Sequence, residues 1–551
     1  MKKTEAYHRR LSALKFERSS WESDWLAIQS ILLPLAGRFL GAKPNSGAKK
    51  SRLNAIYDST GTKALRTLQA GMMSGMTSPA RPWFLLQAPD PELNEYGPVK
   101  EWIYTVTRIM RDVFAKSNFY RSLHTCYGEL GGFGSHAIMM ADDMDTLLHC
   151  HNSTIGEYYL ASNFKGQIDT YYRAFDMTTG QLVKTFGIDN VSPTVKRLFN
   201  QGNMDAWVPV VHCIEPRAER DISKVDNRNM EFASAYFEAG GENDNLLSEG
   251  GFNEFPLLSP RWDVLPGDAY GTSPGYDAIG DIRQLQHEQL RKAQAIDKQT
   301  NPPLQGPAEM QSFNIDSLPG GISFVPGLTN QNAGFRPLYD VNLNLNYLLE
   351  DIRDVRERIN SVFYADLFAM LALSDRGNMT ATEVAERHEE KLLVLGPVLD
   401  RLQSELLKPA IDRTFSLMLK NGLLPPPPRE LQGSDLQVEY VSILAQAQRA
   451  VGTQAIDRVT GYVMNAAQVN PEVLDKFDFD QAVDEYSNML GTPPQLVRPD
   501  DKVAEIRQQR AAQQAQRQQM AAAAASIDGA KQLSDIDTEK RSALSDILSA
   551  S

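Results

Sequence analysis

The chain has 551 residues, 42% hydrophobic and 23% charged, with a formal net charge of -13. That length can bury large cores and, as a soft expectation, gives roughly three or four domains. The acidic balance argues against a protein that grips DNA tightly, since such proteins neutralise phosphates with Lys and Arg, and no apolar run approaches the roughly 18–20 residues of a membrane helix.

Cys126, Cys150 and Cys213 are too few and too scattered for a disulfide framework, which fits synthesis in a reducing cytoplasm. Met1 to Glu5 carries charge with no apolar core behind it, so no secretory signal is expected. Residues 1–66 hold 13 Lys and Arg against 5 Asp and Glu. A basic section on an acidic chain is compatible with a local contact to an acidic partner; a solvated Gly/Lys loop at 43–52 is the simpler account.

In chain order, Leu11, Leu14, Arg18, Trp21, Trp25, Ile28 and Leu32 alternate at three- and four-residue spacing. That lays a mostly apolar stripe along one long helix, broken by Pro34 and Gly37. Residues 37–55 read as loop. Tyr57-Asp58-Ser59-Thr60-Gly61 then offers Asp58, Ser59 or Thr60 as the cap of a helix running to about Gly75. Pro79, Pro82 and Pro89 punctuate an extended piece around Trp83–Leu86, and Val99, Trp102, Ile103, Val106, Ile109, Met110 and Val113 mark a further amphipathic helix.

Residues 150–262 change character. Tyr158-Tyr159, Tyr171-Tyr172, Trp207–Ile214, Met230–Phe237 and Phe255–Trp262 read as strands, with residues 240–245 as a hairpin loop. From 271 two long helices are expected. The first runs from about Pro274 to Gln299. The second runs from about Asn342 to Phe368, with Leu345, Leu348, Ile352, Val355, Ile359 and Val362 spaced as an a/d seam. Between them, residues 300–341 read as a compact α+β module at the tip of a helical hairpin.

After a short linker around residues 373–379, Thr380-Ala381-Thr382-Glu383 forms a capping box. The helix it opens is expected to reach Asn421-Gly422, roughly 60 Å away, with kinks at Pro397 and Pro409. Pro425–Pro428 read as a stiff spacer, followed by helices at 441–468 and about 479–490. The Ala/Gln/Arg-rich stretch at 502–525 is a strong helix former with little to bury.

Catalytic motifs are not found. There is no phosphate-cradling G-x-x-x-x-G-K-[ST], and Gly61-Thr62-Lys63 lacks the backbone cradle. Gly131-Gly132-Phe133-Gly134 lacks dinucleotide spacing and reads as a strand-entry turn. Gly71-Met72-Met73-Ser74-Gly75 is not a nucleophile elbow. In a strand, His149 and His151 would share a face, and His124, Cys126, His212 and Cys213 are further possible ligands. Without C-x-x-C or helical H-x-x-x-H spacing, all read as ordinary residues. The Glu350–Arg358 carboxylates lie in a mixed-charge helical face, not an acid/base pair. No enzymatic activity, cofactor or metal is expected.

Several short segments, in this order, resemble the portal, or head-to-tail connecting, proteins of short-tailed double-stranded-DNA bacteriophages. They are Tyr57–Gly61, Gly71–Pro79, Arg81–Phe84, Asp176–Thr178, Tyr270–Gly275, Phe363–Phe368 and Met379–Val384. The resemblance covers roughly residues 10–450 and implies a mostly helical α+β portal fold in a dodecameric ring with a central channel.

On that resemblance, 1–270 would be the N-terminal helices and α/β wing, 271–299 the first stem helix, 300–341 the clip and 342–368 the second stem helix. The stem would carry the seam Leu345, Leu348, Ile352, Val355, Ile359 and Val362. Residues 369–380 would be the tunnel loop, facing the channel with Ser374, Asp375, Arg376, Gly377 and Asn378. The long kinked wing helix would be 381–422, the crown 423–498, and a C-terminal helical barrel or flexible tail 499–551.

The implied partners are further copies of the chain, DNA passing through the channel without sequence readout, the terminase packaging motor, scaffolding and major capsid proteins, and tail adaptors. No membrane is implied. The implied location is the portal vertex of the virion, after synthesis in the host cytoplasm. An acidic subunit suits a channel that must pass DNA without holding it.

Overall fold

The structure is a computed structural model. It describes residues 3–37, 56–90, 93–94, 96–221, 223–224, 226–240, 246–300, 304–305, 336–337, 346–374, 394–431, 436–442, 444–445, 456, 459–468, 470–490, 497–498 and 500–534. The loop expected at 37–55 lies outside these from residue 38 on, as do the capping box at 380–383 and all but four residues of the 300–341 module after Thr300.

Helix α1 (Lys3–Ile31) turns its stripe inward: Leu11, Leu14, Arg18, Trp25, Ile28 and Leu32 are buried. Gly37, at φ 78°, turns the chain after it. Helix α2 (Thr60–Met76), strand β1 (Phe84–Gln87) and helix α3 (Gly97–Lys116) follow close to their expected bounds.

Helix α4 (Phe119–Phe133) was not expected from the sequence. The segment read as a glycine turn is its last turn, closed by Gly134 in the left-handed region at φ 81°. Glycine lowers helix propensity, but here neighbours come too close for any side chain. An added Cβ would lie 2.9 Å from the Leu65 and Leu68 methyls at Gly131, and 2.4 Å from Leu33 at Gly132.

Strands β2 (Ala137–Asp143) and β3 (Leu147–Ser153) then pair antiparallel. The main sheet is antiparallel, in the order β4 (Tyr158–Ser162), β5 (Ile168–Thr178), β6 (Trp207–Pro216), β7 (Phe232–Glu238), β8 (Ser248–Phe252). Between β5 and β6 the chain inserts two short helices within the span read as β: α5 (Thr179–Phe186) and α6 (Pro193–Asn200).

Because strand side chains alternate, each strand serves two cores. Tyr172, Val211, Cys213, Ala235 and Phe237 meet Leu11 and Leu14 of α1. Val208 and Val210 meet Leu182 of α5 and Val195 of α6. Of the strand expected at 255–262, β9 (Leu257–Leu258) is the regular part and adds to β2.

Helix α7 (Pro274–Thr300) and helix α8 (Asn346–Val362) lie against each other. Between them in sequence, β10 (Leu304–Gln305) and β11 (Arg336–Pro337) pair antiparallel. The single helix expected to run through Phe368 is instead two: α8 stops at Val362, and α9 runs Ala365–Ser374.

The next described helix, α10, covers 394–402 and continues through a π-helical turn, Gln403–Leu407, into α11 (Lys408–Lys420). The π turn ends two residues before Pro409. Widening the backbone there relieves the clash that proline makes with the preceding turn.

The chain divides into two compact units. The larger comprises Met1–Leu85, Val106–Pro425 and Val438–Ala455; the smaller comprises Leu86–Thr105, Pro426–Gln437 and Ile456–Ser551. The smaller unit contains α12 (Phe479–Leu490) and α13 (Asp500–Ser534). They are tied by Arg507, which donates to both Asp480 carboxylate oxygens at 2.6 and 2.8 Å. Among the described residues, no helix is long and apolar enough to cross a membrane.

Candidate functional site: the joint where three helices meet

The segment Tyr57–Gly61 enters α2 beside the α7–α8 pair. Of the three residues offered as caps, Asp58 does the work. Its Oδ1 accepts from Thr60 N at 2.8 Å and Thr60 Oγ1 at 2.5 Å. Ser59 stands at the cap position without a side-chain bond.

The other carboxylate oxygen, Oδ2, accepts from Arg356 of α8 at 2.6 Å and from Gln289 of α7 at 3.1 Å. Gln286 of α7 completes the joint. Its Oε1 accepts from Tyr57 N at 2.6 Å and Asp58 N at 2.9 Å, while its Nε2 donates to Asp58 O at 2.9 Å. One buried carboxylate thus fastens α2, α7 and α8. Burial pushes the Asp58 carboxyl up, but the bonds from Thr60 and Arg356 outweigh it and hold the group below the usual carboxylate range.

A second contact lies further along α2. Gly71 faces Phe368 of α9, and a Cβ at Gly71 would lie 2.3 Å from the Phe368 Cβ. Between α8 and α9 the chain turns at Tyr364, a non-glycine residue at φ 51°. That conformation costs an L-residue roughly 1–2 kcal/mol, and the packing of Phe363, Leu367 and Phe368, all buried, holds it in place.

Of the expected seam, Ile352, Val355 and Ile359 are buried, and Leu348 and Val362 are half-buried; Leu345 lies outside the described residues. Helix α8 lies against α7 and α2, so helices of the same chain line this stripe. Of the expected tunnel-loop residues, Ser374 is the last residue of α9 and not a loop residue, while Asp375, Arg376, Gly377 and Asn378 lie outside the described residues. The apolar run Leu367–Leu373 continues the helix past the point where the loop was placed.

The helix that follows is clasped to the β body by three arginines. Arg261, buried, donates to Glu405 from Nε at 3.2 Å and Nη2 at 2.5 Å, and its backbone N donates to the same carboxylate at 3.0 Å. Its remaining donors reach Asp268 O and Gly166 O. Glu405 sits inside the π turn. Arg401 donates to Trp262 O at 2.8 Å, and Arg413 to Met140 O at 2.9 Å and Glu254 Oε1 at 3.0 Å.

The possible metal ligands do not converge. His149 and His151 share an exposed face of β3, with ring centroids 4.6 Å apart, while Cys150 points into the core. His124 bonds Gln69, and Cys126 and Cys213 are buried. His212 is buried and stacked on Tyr236; burial, with the charge of Arg173 behind it, pushes its pKa down to about 3. Among the described residues, no group of three or more His, Cys, Asp and Glu is placed to hold a metal ion.

The sequence profile of the bacteriophage head to tail connecting protein family matches residues 4–497. The chain belongs to this family. It is 52% identical over 541 residues to the probable portal protein of Bordetella phage BPP-1, covering 98% of this chain and 97% of that protein. It is 45% identical over 543 residues to the portal protein of Salmonella phage epsilon15, at the same coverage. Among solved structures, a chain in the neck of an empty GTA particle computed with C6 symmetry is similar over 83% of this chain and 96% of its own. The identity there is 14% and the TM-score 0.38.

Several of the described segments that carried the family resemblance sit at junctions between elements; Met379–Val384 lies outside the described residues. Asp58 is the three-helix joint. Gly71 and Phe368 come from two of those segments and touch each other. Thr178 caps α5 through a reciprocal bond with Gln181. Gly271 and Gly275 lie so close to the backbone of Gly134 and Gly132 that a Cβ at either would meet a carbonyl oxygen, at 2.7 and 2.3 Å.

Sequence reasoning missed Arg18, counted as part of an apolar stripe. It is buried, donates to Gly156 O and Tyr158 O at 2.9 Å each, and lies 3.9 Å over the Tyr159 ring. Its signal was an Arg inside a stripe with Glu22 one turn on, which pairs with it at 2.7 Å. The Arg261–Glu405 pair, 144 residues apart in sequence, had no local signal.

Proposed function

We propose that the chain is a portal subunit: the head-to-tail connector of a bacteriophage capsid, assembled as a dodecameric ring through which the genome is packaged and ejected. The observation that carries this reading is the family match over residues 4–497, together with near-complete coverage of two phage portal proteins. The net charge of -13 supports a channel that passes DNA with little affinity, because each Lys–phosphate contact would add salt-dependent binding.

In this reading α7 and α8 form the stem, the stretch between them the clip, and residues 375–378 the channel-facing loop. The ring docks the terminase motor on one side and tail adaptors on the other. It meets scaffolding and major capsid proteins at the capsid vertex, after synthesis in the host cytoplasm. The subunit acts by shape and charge, without chemistry of its own. Native mass measurement with negative-stain imaging tests the proposal. Closed twelve-membered rings with a central hole are expected; monomers and dimers alone, with scaffolding protein present, would overturn it.

A further inference from the structure

Between α7 and α8 lies a pair of carboxyl groups that the family reading does not use. Glu288 of α7 is buried, at 8% exposure. Its Oε1 accepts from Gln284 Nε2 at 2.6 Å, while its Oε2 is buried with no donor. Asp351 of α8 faces it closely enough for the two side chains to interact directly. A carboxylate accepts hydrogen bonds and cannot donate, so two ionised carboxylates at such an approach repel. One proton between them turns that repulsion into a bond.

We propose that the buried, unpartnered Oε2 of Glu288, when protonated, donates to Asp351, making the α7–α8 contact an acid-tightened clasp. The surroundings fit. On α7, His287 and Arg291 are exposed and bonded to each other at 3.4 Å, and Lys292, one turn on, forms no ion pair with Glu288. On α8, Arg358 faces the site but is engaged by Asp354 and, at 3.3 Å, by Asp281. Asp58, at the start of α2, is spent on Thr60, Gln289 and Arg356. Helices α1 and α4 meet α7 at its N-terminal end, through Trp21 against Tyr276 and Gly132 against Gly275, well away from Glu288.

Burial first, and then Asp351, raise the Glu288 carboxyl above its ordinary range, against the lowering effects of Gln284 and Arg358. A carboxyl raised on folding adds stability that is complete below its unfolded value and lost as pH rises through the folded one. The clasp is therefore firm below the ordinary glutamate range and loosens as pH rises above it. It rests on two helices of one chain, independently of any ring.

Hydrogen exchange of the full chain, corrected for intrinsic rates, tests the clasp at about pH 4 and about pH 8. Protection over 284–292 and 348–355 is expected to fall about threefold or more at the higher pH. Glu288→Gln, neutral at both, is expected to hold the high-protection state throughout. Should that variant misfold, Asp351→Asn is expected to flatten the same pH response by removing the repelling partner. A parent with pH-independent protection overturns the proposal, and so does a Glu288→Gln chain unprotected at both pH values. Protection at about pH 8 that returns saturably on adding Mg2+ or Ca2+ would make the shared occupant a cation and also overturn it.

Discussion

Arg356, near the middle of α8, donates at 2.6 Å to Asp58, which stands just ahead of α2 and 298 residues earlier in the chain. The contact closes a three-helix joint that also includes Gln286 and Gln289 of α7. Most of its bonds go to backbone groups or to a shared oxygen, so losing Asp58 leaves several donors without acceptors.

Asp58→Ala is therefore expected to cost about 1–2 kcal/mol, from half-buried donors left without their acceptor, with Arg356 exposed enough to be solvated in its place. The sign with pH follows from the lowered carboxyl of Asp58. Its contribution is present above the unfolded value near pH 4 and lost as pH falls through the folded value. Thermal melts of parent and variant should differ most at neutral pH and converge in acid. A constant gap down to about pH 2 would contradict the assignment.

Gly71→Ala places a methyl 2.3 Å from the Phe368 Cβ. Overpacking of this kind costs about 1–3 kcal/mol. Phe368→Ala alone should cost about 3–5 kcal/mol, because it empties a buried aromatic site. The double variant should be less destabilised than the two losses added together, since losing the ring removes the contacts at 2.5 and 2.7 Å while the Phe368 Cβ stays in place. Strict additivity in denaturant melts would mean that the two residues do not constrain each other.

The course of helices with uniform periodicity was legible in the sequence. Leu11 to Leu32 and Ile352 to Ile359 face inward as their spacing required, because period 3.6 decides which face is buried. Breaks and crossings were less legible. Nothing local to Tyr364 marks a left-handed residue, and the helix around Gly131 and Gly132 contradicts their propensity because Leu33, Leu65 and Leu68 occupy the space. At the joint, Asp58 was visible as a possible cap, but its tie to Arg356 was not, since no local pattern reports a partner nearly three hundred residues away.

Tyr364 gives a further check. Asn tolerates the left-handed region, whereas β-branched residues do not. Tyr364→Asn should lie within about 1 kcal/mol of the parent, and Tyr364→Val should be destabilised by about 2 kcal/mol or more. Equal melting temperatures for the two variants would show that the turn between α8 and α9 does not depend on that conformation.

The buried pair Arg261–Glu405 predicts that charge alone is not enough. Arg261 spends its donors on a carboxylate and on two backbone carbonyls, Asp268 O and Gly166 O. Lysine carries the charge on one compact group and lacks the planar fork. Arg261→Lys should therefore lose about 2 kcal/mol or more, and Arg261→Ala about 3–5 kcal/mol, by leaving Glu405 without its cation. The loss should appear as faster exchange along 401–413, where the helix is clasped to the β body, and less over α1, which reaches the main sheet through Leu11, Leu14 and Arg18. Uniform loosening of both regions would mean that Arg261 supports the whole unit and not the helix it touches.

The segment Asp375–Asn378 carries the functional test of the channel reading. It follows α9 directly, and its neighbour Arg376 beside Asp375 makes it nearly neutral, which suits brief contact with phosphates without retention. Shortening it by a few residues leaves untouched the buried face of α8, the Asp58 joint and the Gly71–Phe368 contact. Assembly is therefore expected to match the parent in native mass measurements. Packaging or retention of DNA is expected to fall in an assay of filled heads. Shortened chains that assemble and also package and hold full-length genomes would remove this segment from the channel, while leaving the subunit's place in the head-to-tail connection standing.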